Sequence, residues 1–228
     1  MIDPWDQIAP QYDAWYATPL GAFALEVEIA ALVALGGQLT GRRGLEVGCG
    51  TGQFGRVFTQ RGVRMFGVDR SAAMLKEAAR HSMETLTLCR AEGEHLPCPG
   101  SSFDLVVAVT VLEFARDPQA ILAETWRVLR PGGKLIVGVL NAWSLWAIAR
   151  RLRCSESPYV HAHFYQPPEL MRLLATFGPV MWRGAVFLPP WTKGPARAWW
   201  WRVERVGARL LPMFGAFLAA AARKPARR

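Results

Sequence analysis

The residues best able to do chemistry lie at 45–52, where Leu45-Glu46-Val47-Gly48-Cys49-Gly50-Thr51-Gly52 reads as a strand end, a turn and a helix start. Glycines at 48, 50 and 52 let the backbone take positive φ and let a ligand approach the main chain closely. Alone, the triplet also reads as a tight strand-to-helix turn. With Gly55 it becomes GxGxGxxG, a turn that nicotinamide dehydrogenases share. Asp69, with Arg70 beside it, lies about 20 residues further on, at the end of the next apolar run. A carboxylate there can accept two hydrogen bonds from ribose hydroxyls, or it can cap a helix starting at Ser71. Ala91-Glu92, just past a third run, suits an adenine edge or a solvated loop. Cys49, inside the glycine turn, reads as a small filler, since no neighbour is suited to activate it.

These groups need a scaffold that brings strand ends together. Short apolar runs at 44–48, 62–68, 85–90, 103–109 and 134–140 alternate with helical patterns at 52–60, 71–81 and 118–129. That alternation predicts an α/β fold with a mostly parallel sheet and helices on both faces. The runs 103–109 and 134–140 are continuously apolar, as strands covered on both faces require. The helix at 118–129 should stop at Arg130-Pro131-Gly132-Gly133. Helical patterns at 5–17 and 23–35 precede the sheet. A helix at 143–152, a loop to 168, a helix at 169–177 and strands at 180–188 and 214–222 follow it. Residues 1–228 read as one domain. It comprises a helical cap (1–40), a ligand-binding core (41–140), a variable region (141–213) and a closing strand with a basic tail (214–228).

LEVGCGTGQFG, GVDRS, RAEGEHLP, SSFDLVVAVTVLEF and VLRPGGKLIVG, in this order and spacing, resemble the successive motifs of class I S-adenosylmethionine-dependent methyltransferases. The likeness is greatest to the methyltransferase type 11 group, which includes quinone-biosynthesis enzymes. The Pro-Gly-Gly turn before Lys134 belongs to this pattern and separates it from the dehydrogenases. The resemblance implies a Rossmann-like seven-stranded sheet, mostly parallel with an antiparallel last strand, and S-adenosylmethionine as cofactor. It implies that Glu46 and the backbone of Gly48, Cys49, Gly50 and Gly52 face the methionine end. Asp69 and Arg70 would lie at the ribose, with Met74 on the adenine. Glu92 would take the exocyclic amine and the Ala91-Glu92 backbone the ring nitrogens. Thr110 would line the methionine moiety, and Tyr12 and Tyr16 would cap the cofactor or simply pack.

The acceptor is a small molecule, with a quinone-like or lipid-like one leading and a polar metabolite as the alternative. A non-catalytic cofactor-binding protein is the reading from another class. Candidate bases are Glu113, where many relatives have histidine, and His161 and His163 in SPYVHAHFYQPPEL, a segment that closes over the acceptor in this group. The histidines also read as exposed loop residues.

Composition limits the rest. Of 27 Lys and Arg and 18 Asp and Glu, residues 183–228 hold 10 and one, so the whole +9 excess lies in the tail. A nucleic-acid binder usually carries its charge on the working domain, and nucleic acid is not expected here. In ARAWWWRVERVGARLL (196–211), a helical projection puts Val206, Trp199, Leu210, Val203, Gly207, Trp200 and Leu211 on one face. Arg202, Arg205 and Arg209 lie on the other, with Trp201 between. Such a helix suits an anionic membrane surface, or it packs on the domain's own sheet with a solvated basic side, or its charge steers an acidic partner. The end, 223–228, reads as a frayed solvated tail. No stretch is expected to approach the roughly 20 apolar residues of a membrane span, and the longest candidate, 210–222, holds Pro212. Cys49, Cys89, Cys98 and Cys154 form no CxxC pair, so no metal site is expected. Without a secretion-signal pattern, free thiols and a cytoplasmic, possible inner-membrane-face location are the expectations.

Overall fold

The computed structural model describes residues 4–81, 86–152, 161–194 and 197–226. Its centre is a seven-stranded sheet in the order β3-β2-β1-β4-β5-β7-β6. The strands are β1 (Arg43–Val47), β2 (Arg64–Asp69), β3 (Leu86–Arg90), β4 (Phe103–Val109), β5 (Leu129–Leu140), β6 (Val180–Ala185) and β7 (Phe217–Arg223). Pairing is parallel from β3 through to β5, and β7 runs antiparallel to both β5 and β6. This is the expected Rossmann-like arrangement. The chain winds outward from β1 to β2 and β3, then returns to β4 on the other side. The crevice at the strand ends where that order reverses is the usual ligand position in such sheets.

The helices are α1 (Pro4–Ile8), α2 (Pro19–Gly36), α3 (Gln53–Gln60), α4 (Ala72–His81), α5 (Pro118–Val128), α6 (Leu145–Arg151), α7 (Pro167–Ala175) and α8 (Arg197–Leu210). One core unites Phe23, Val27 and Leu32 of α2, Phe54 and Phe58 of α3, and Trp200 of α8 with Leu105, Val107, Ile136, Phe217 and Ala219 of the sheet. The alternate residues of the same strands, Val106, Leu135, Val137 and Leu218, meet Ile121 and Leu122 of α5 and Leu170 and Leu174 of α7. The period-2 alternation thus feeds two cores, and β4 and β5 are apolar on both sides for that reason.

Several expectations need correction. The helix expected at 5–17 is a short α1 followed by a 3-10 helix over Ala9–Ala17. Pro10 lacks an amide to continue the α ladder, and contacts with the sheet ends hold the segment, as described below. Strand β5 begins at Leu129 rather than 134. Phe103 pairs with Leu129 and Leu105 with Lys134, so Arg130–Gly133 bulge out of the ladder with Gly132 at φ 80°. Strand β6 stops at Ala185 because Val186 turns into the left-handed region at φ 62°. The expected strand start at 214 is a 3-10 turn over Pro212–Phe214, and β7 begins at Phe217.

By length and composition, α2, at a mean hydropathy of 1.7 over 18 residues, could cross a membrane, contrary to the expectation that no stretch approached a span. Here its apolar residues cover the sheet. Thr18 caps its start by accepting the Gly21 amide, and Lys134 Nζ donates to the carbonyls of Leu35 and Gly36 at its end. Lys224 does the same for α5, donating to Trp126 and Leu129, while Arg223 lies in β7 opposite Lys134. The expected frayed tail is therefore structural at its first two residues. Cys49, Cys89 and Cys98 are free thiols. Cys154, Tyr159, residue 85 of the expected third strand and Ala196 of the expected tail helix lie outside the described residues.

Candidate functional site

A cleft opens at the C-terminal ends of β1, β2 and β4. It encloses about 690 Å³ of empty space, open solvent at its mouth included. Its floor is the glycine turn. Gly48, Gly50 and Gly52 take φ of 69°, 51° and 78°, conformations that favour glycine. The amides of Gly48 and Cys49 both donate to Val68 O, which ties the turn to β2. A Cβ on Gly50 would meet nothing within 4 Å, so the backbone there is open to a ligand. Gly52 heads α3 in left-handed conformation.

Asp69, the last residue of β2, is oriented by two backbone amides. Gly50 donates to its Oδ2 at 2.8 Å and Ser71 to its Oδ1 at 2.9 Å. A carboxylate has acceptor capacity for about four hydrogen bonds, so this orientation is compatible with a vicinal diol. The cap of α4 is Ser71, whose hydroxyl accepts the Met74 amide at 3.1 Å. Asp69 is thus set on the cleft wall by the turn instead of capping that helix itself.

Nine of the thirteen expected cofactor residues line the cleft: Tyr12, Gly48, Gly50, Asp69, Arg70, Met74, Ala91, Glu92 and Thr110. Thr110, just past the end of β4, holds φ at 47°, and its amide donates to Gly138 O of β5. Strain of this kind at a strand end beside a cleft fits a binding role.

The other four, Tyr16, Glu46, Cys49 and Gly52, are not on the wall. Glu46 is buried behind the turn with Oε2 unpartnered. Burial pushes its carboxyl up to about 8, against the hydrogen bond from the Gly55 amide. Cys49 is packed against Gly67, where an added Cβ would lie 2.9 Å from its Sγ. Burial raises its thiol well above the ordinary range, as befits a filler.

The candidate bases are not brought to the cleft wall. Glu113 is buried, with Oε1 accepting the Leu140 amide at 2.7 Å and Oε2 unpartnered. Burial pushes it up to about 8. His161 and His163 are exposed. His163 Nε2 lies 2.6 Å from Glu169 Oε1, and its ring stands edge-on to Tyr165 at 4.7 Å. Its amide donates to Glu113 O, so this segment is anchored beside the end of β4.

Trp5 and Phe114, which their sequence context does not mark, pack edge-to-face at 4.7 Å and form one side of the cleft. Asp6 and Asp13, outside every expected site, also act here. Asp6 accepts from the Ser71 hydroxyl at 2.6 Å and the Ala73 amide at 3.3 Å, and these bonds lower its pKa. Asp13 accepts from Thr51 Oγ1 at 2.7 Å. These three bonds fasten the N-terminal segment to the start of α4 and to the glycine turn. The available signal was a pair of acids seven residues apart among aromatics, in a segment with no sheet-covering stripe.

The family model described as a methyltransferase domain matches residues 45–137. An uncharacterized protein of Methanocaldococcus jannaschii is 33% identical over 178 residues, covering 78% of this chain and 81% of the relative. A ubiquinone biosynthesis O-methyltransferase of Idiomarina loihiensis is 31% identical over 164 residues, covering 66% of this chain and 68% of that one. The chain belongs to the class I S-adenosylmethionine-dependent methyltransferases. The crystal structure of such a methyltransferase from Thermotoga maritima superposes with a TM-score of 0.76 at 25% identity, over 97% of this chain and 98% of that one. The chain spans 58% of the length of the uncharacterized Mycobacterium tuberculosis relatives, to which it is 38% identical.

The residues present fit S-adenosylmethionine. The open backbone at Gly50 leaves room for it, Asp69 is oriented on the wall, and Met74, Glu92 and Thr110 line the same cleft.

Proposed function

We propose that the protein transfers the methyl group of S-adenosylmethionine to a small acceptor with a large apolar part, quinone-like or lipid-like. The observation that carries the apolar acceptor is an unbroken row of aromatic rings leading out of the cleft. Phe114 meets Trp5 at 4.7 Å, Trp5 meets Tyr12 at 6.2 Å, and Tyr12 meets Tyr16 at 6.5 Å. Tyr16 then meets Trp15 at 5.1 Å, and Trp15 meets Trp146 at 6.0 Å. Trp146 borders an apolar groove distinct from the cofactor cleft. An amphiphile can lie along this wall with its reactive atom at the cleft. The ubiquinone biosynthesis O-methyltransferase among the relatives supports an acceptor of this chemistry.

The cofactor supplies a methyl group already activated on a sulfonium. The residues of the chain bind and orient. In the proposed pose Asp69 holds the ribose hydroxyls, Met74 packs on the adenine, and Glu92 accepts from its exocyclic amine. Thr110 serves the methionine end, and Glu46 backs the glycine turn from behind. Trp5, Tyr12 and Phe114 exclude water from the side where the acceptor enters. Alignment of a nucleophile with the methyl–sulfur bond can by itself supply about 7–11 kcal/mol of a barrier. No residue of the cleft wall therefore has to act as nucleophile, and proton removal from a hydroxyl acceptor would add about 10²–10⁴-fold.

The test uses methyl-labelled cofactor, purified protein and a cell extract divided into lipid and aqueous fractions, with Asp69→Ala as control. Label in the lipid fraction is the expected result. Label confined to the aqueous fraction overturns the apolar acceptor and favours a polar metabolite. No transfer to either fraction, with cofactor binding intact, favours a non-catalytic binding protein.

A further inference from the structure

Away from the cleft lies a broader concavity of about 1470 Å³, open solvent at its mouth included, lined by residues of α6, α8 and the segment after β6. Among the described residues, seven of the thirteen exposed large apolar side chains line it. Ile148 of α6 and Trp199 and Val206 of α8 are three of them. Leu210 and Leu152 follow one helical turn after Val206 and Ile148 and are 68% and 81% exposed. Single exposed apolar residues are ordinary, but a contiguous set of this kind marks an interaction surface.

The face carries one sign of charge. α6 ends in Arg150 and Arg151, and α8 exposes Arg202, Arg205 and Arg209. The one acid on these two helices is Glu204. It is buried, with its oxygens taken by the amides of Val186 and Phe187 at 3.0 and 2.9 Å. The face therefore presents tryptophan, leucine and arginine with no exposed carboxylate from either helix.

We infer that the α6–α8 face docks on an anionic phospholipid surface. Trp143, Trp199, Leu210 and Leu152 would enter the headgroup boundary, with the arginines on lipid phosphates. Tryptophan suits that boundary because its ring is apolar and its N–H stays wet. A second copy of the chain is disfavoured, because a two-fold contact through this face would set arginine against arginine. A peptide-sized slot is disfavoured too, since the exposed apolar residues run on a helical turn past the concavity at Leu210 and Leu152. The inference does not rest on methyl transfer. A lipid-docked protein could methylate any acceptor, and a failure of either reading leaves the other measurable.

The full chain is sedimented with vesicles of phosphatidylcholine alone and of phosphatidylcholine with phosphatidylglycerol. Binding to the mixed vesicles, weakened by added salt, is expected. Arg205→Gln with Arg209→Gln should weaken it roughly thirtyfold, at about a fivefold loss for each basic residue near the surface. Trp199→Ser with Leu210→Ser should abolish the tryptophan blue shift on mixing. Calorimetric cofactor affinity, expected unchanged in all four substitutions, verifies that the variants are folded. Equal sedimentation with both vesicle types overturns the inference. So does self-association lost in the same variants, or binding to polyglutamate without binding to the mixed vesicles.

Discussion

Asp69 shows how one residue joins turn, strand and ligand. Its oxygens accept from Gly50 and Ser71, so it both fixes the glycine turn and faces the cleft. Asp69→Ala removes the proposed ribose acceptors and also releases the Gly50 amide. Hydrogen bonds to a charged group contribute about 1.5–3 kcal/mol each, so cofactor affinity should fall at least about 100-fold by titration calorimetry. Unchanged affinity would remove Asp69 from the site. His161 and His163 make the opposite case, since both are exposed and neither borders the cleft. His161→Ala and His163→Ala should each leave turnover and acceptor KM within about twofold. A larger effect would mean that this segment closes onto the acceptor. The sequence made the wall of the cleft legible because glycine spacing and a strand-terminal carboxylate are local signals. Trp5 and Phe114 were not legible. An aromatic residue bordering a ligand and one buried in a core are the same letters, and only the long-range packing separates them.

At the scale of elements, α8 resolves two readings that its sequence left open. The helical projection puts Trp199, Trp200, Val203, Val206, Gly207, Leu210 and Leu211 on one broad face, and the fold divides that face. Trp200 is 2% exposed and packs edge-to-face on Phe23 at 5.4 Å, with Val203 and Trp201 partly covered beside it. Trp199, one residue away, is 55% exposed with Val206 and Leu210 along the same outer stripe. Core packing therefore takes up Trp200 and part of Val203 and leaves Trp199, Val206 and Leu210 outside. Gly207 sets how close the helix comes, because an added Cβ would lie 2.3 Å from Phe187 Cγ. Gly207→Ala gains helix propensity of about 1 kcal/mol, yet must push Phe187 or the helix away, and such overpacking costs about 1–3 kcal/mol. The clash should win, with a lower Tm in thermal unfolding. A raised Tm would show that Phe187 swings aside freely. The strands and the long helices were legible because hydrophobic periodicity is local. The 3-10 cap and the bulge of Arg130–Gly133 were not, since distant partners set both: Thr51 and Ser71 for the cap, Phe103, Leu105 and Lys224 for the bulge.

At the scale of the molecule, the charge asymmetry read from the sequence has two structural destinations. Arg197 pairs with Glu26, Arg223 joins β7, and Lys224 closes α5. Arg202, Arg205 and Arg209 remain on the outer side of α8. The interior, by contrast, hides acids. Glu46 and Glu113 are buried and pushed up to about 8, and burial moves Glu28 and Glu204 in the same direction. A carboxyl that stays protonated in the fold but ionises near 4.5 when unfolded favours the folded state fully below pH 4.5. That contribution fades as pH rises and is gone above about 8, by up to about 1.4 kcal/mol per pH unit for each such group. Stability should therefore fall between pH 5 and 8, the reverse of a protein held by ionised carboxylates. Glu113→Gln separates this from other causes. Its amide can still accept from Leu140 but cannot ionise, so chemical denaturation across this range should show a shallower fall than in the parent protein. An unaltered slope would mean that Glu113 is already ionised in the fold, with its second oxygen satisfied by water instead of a proton.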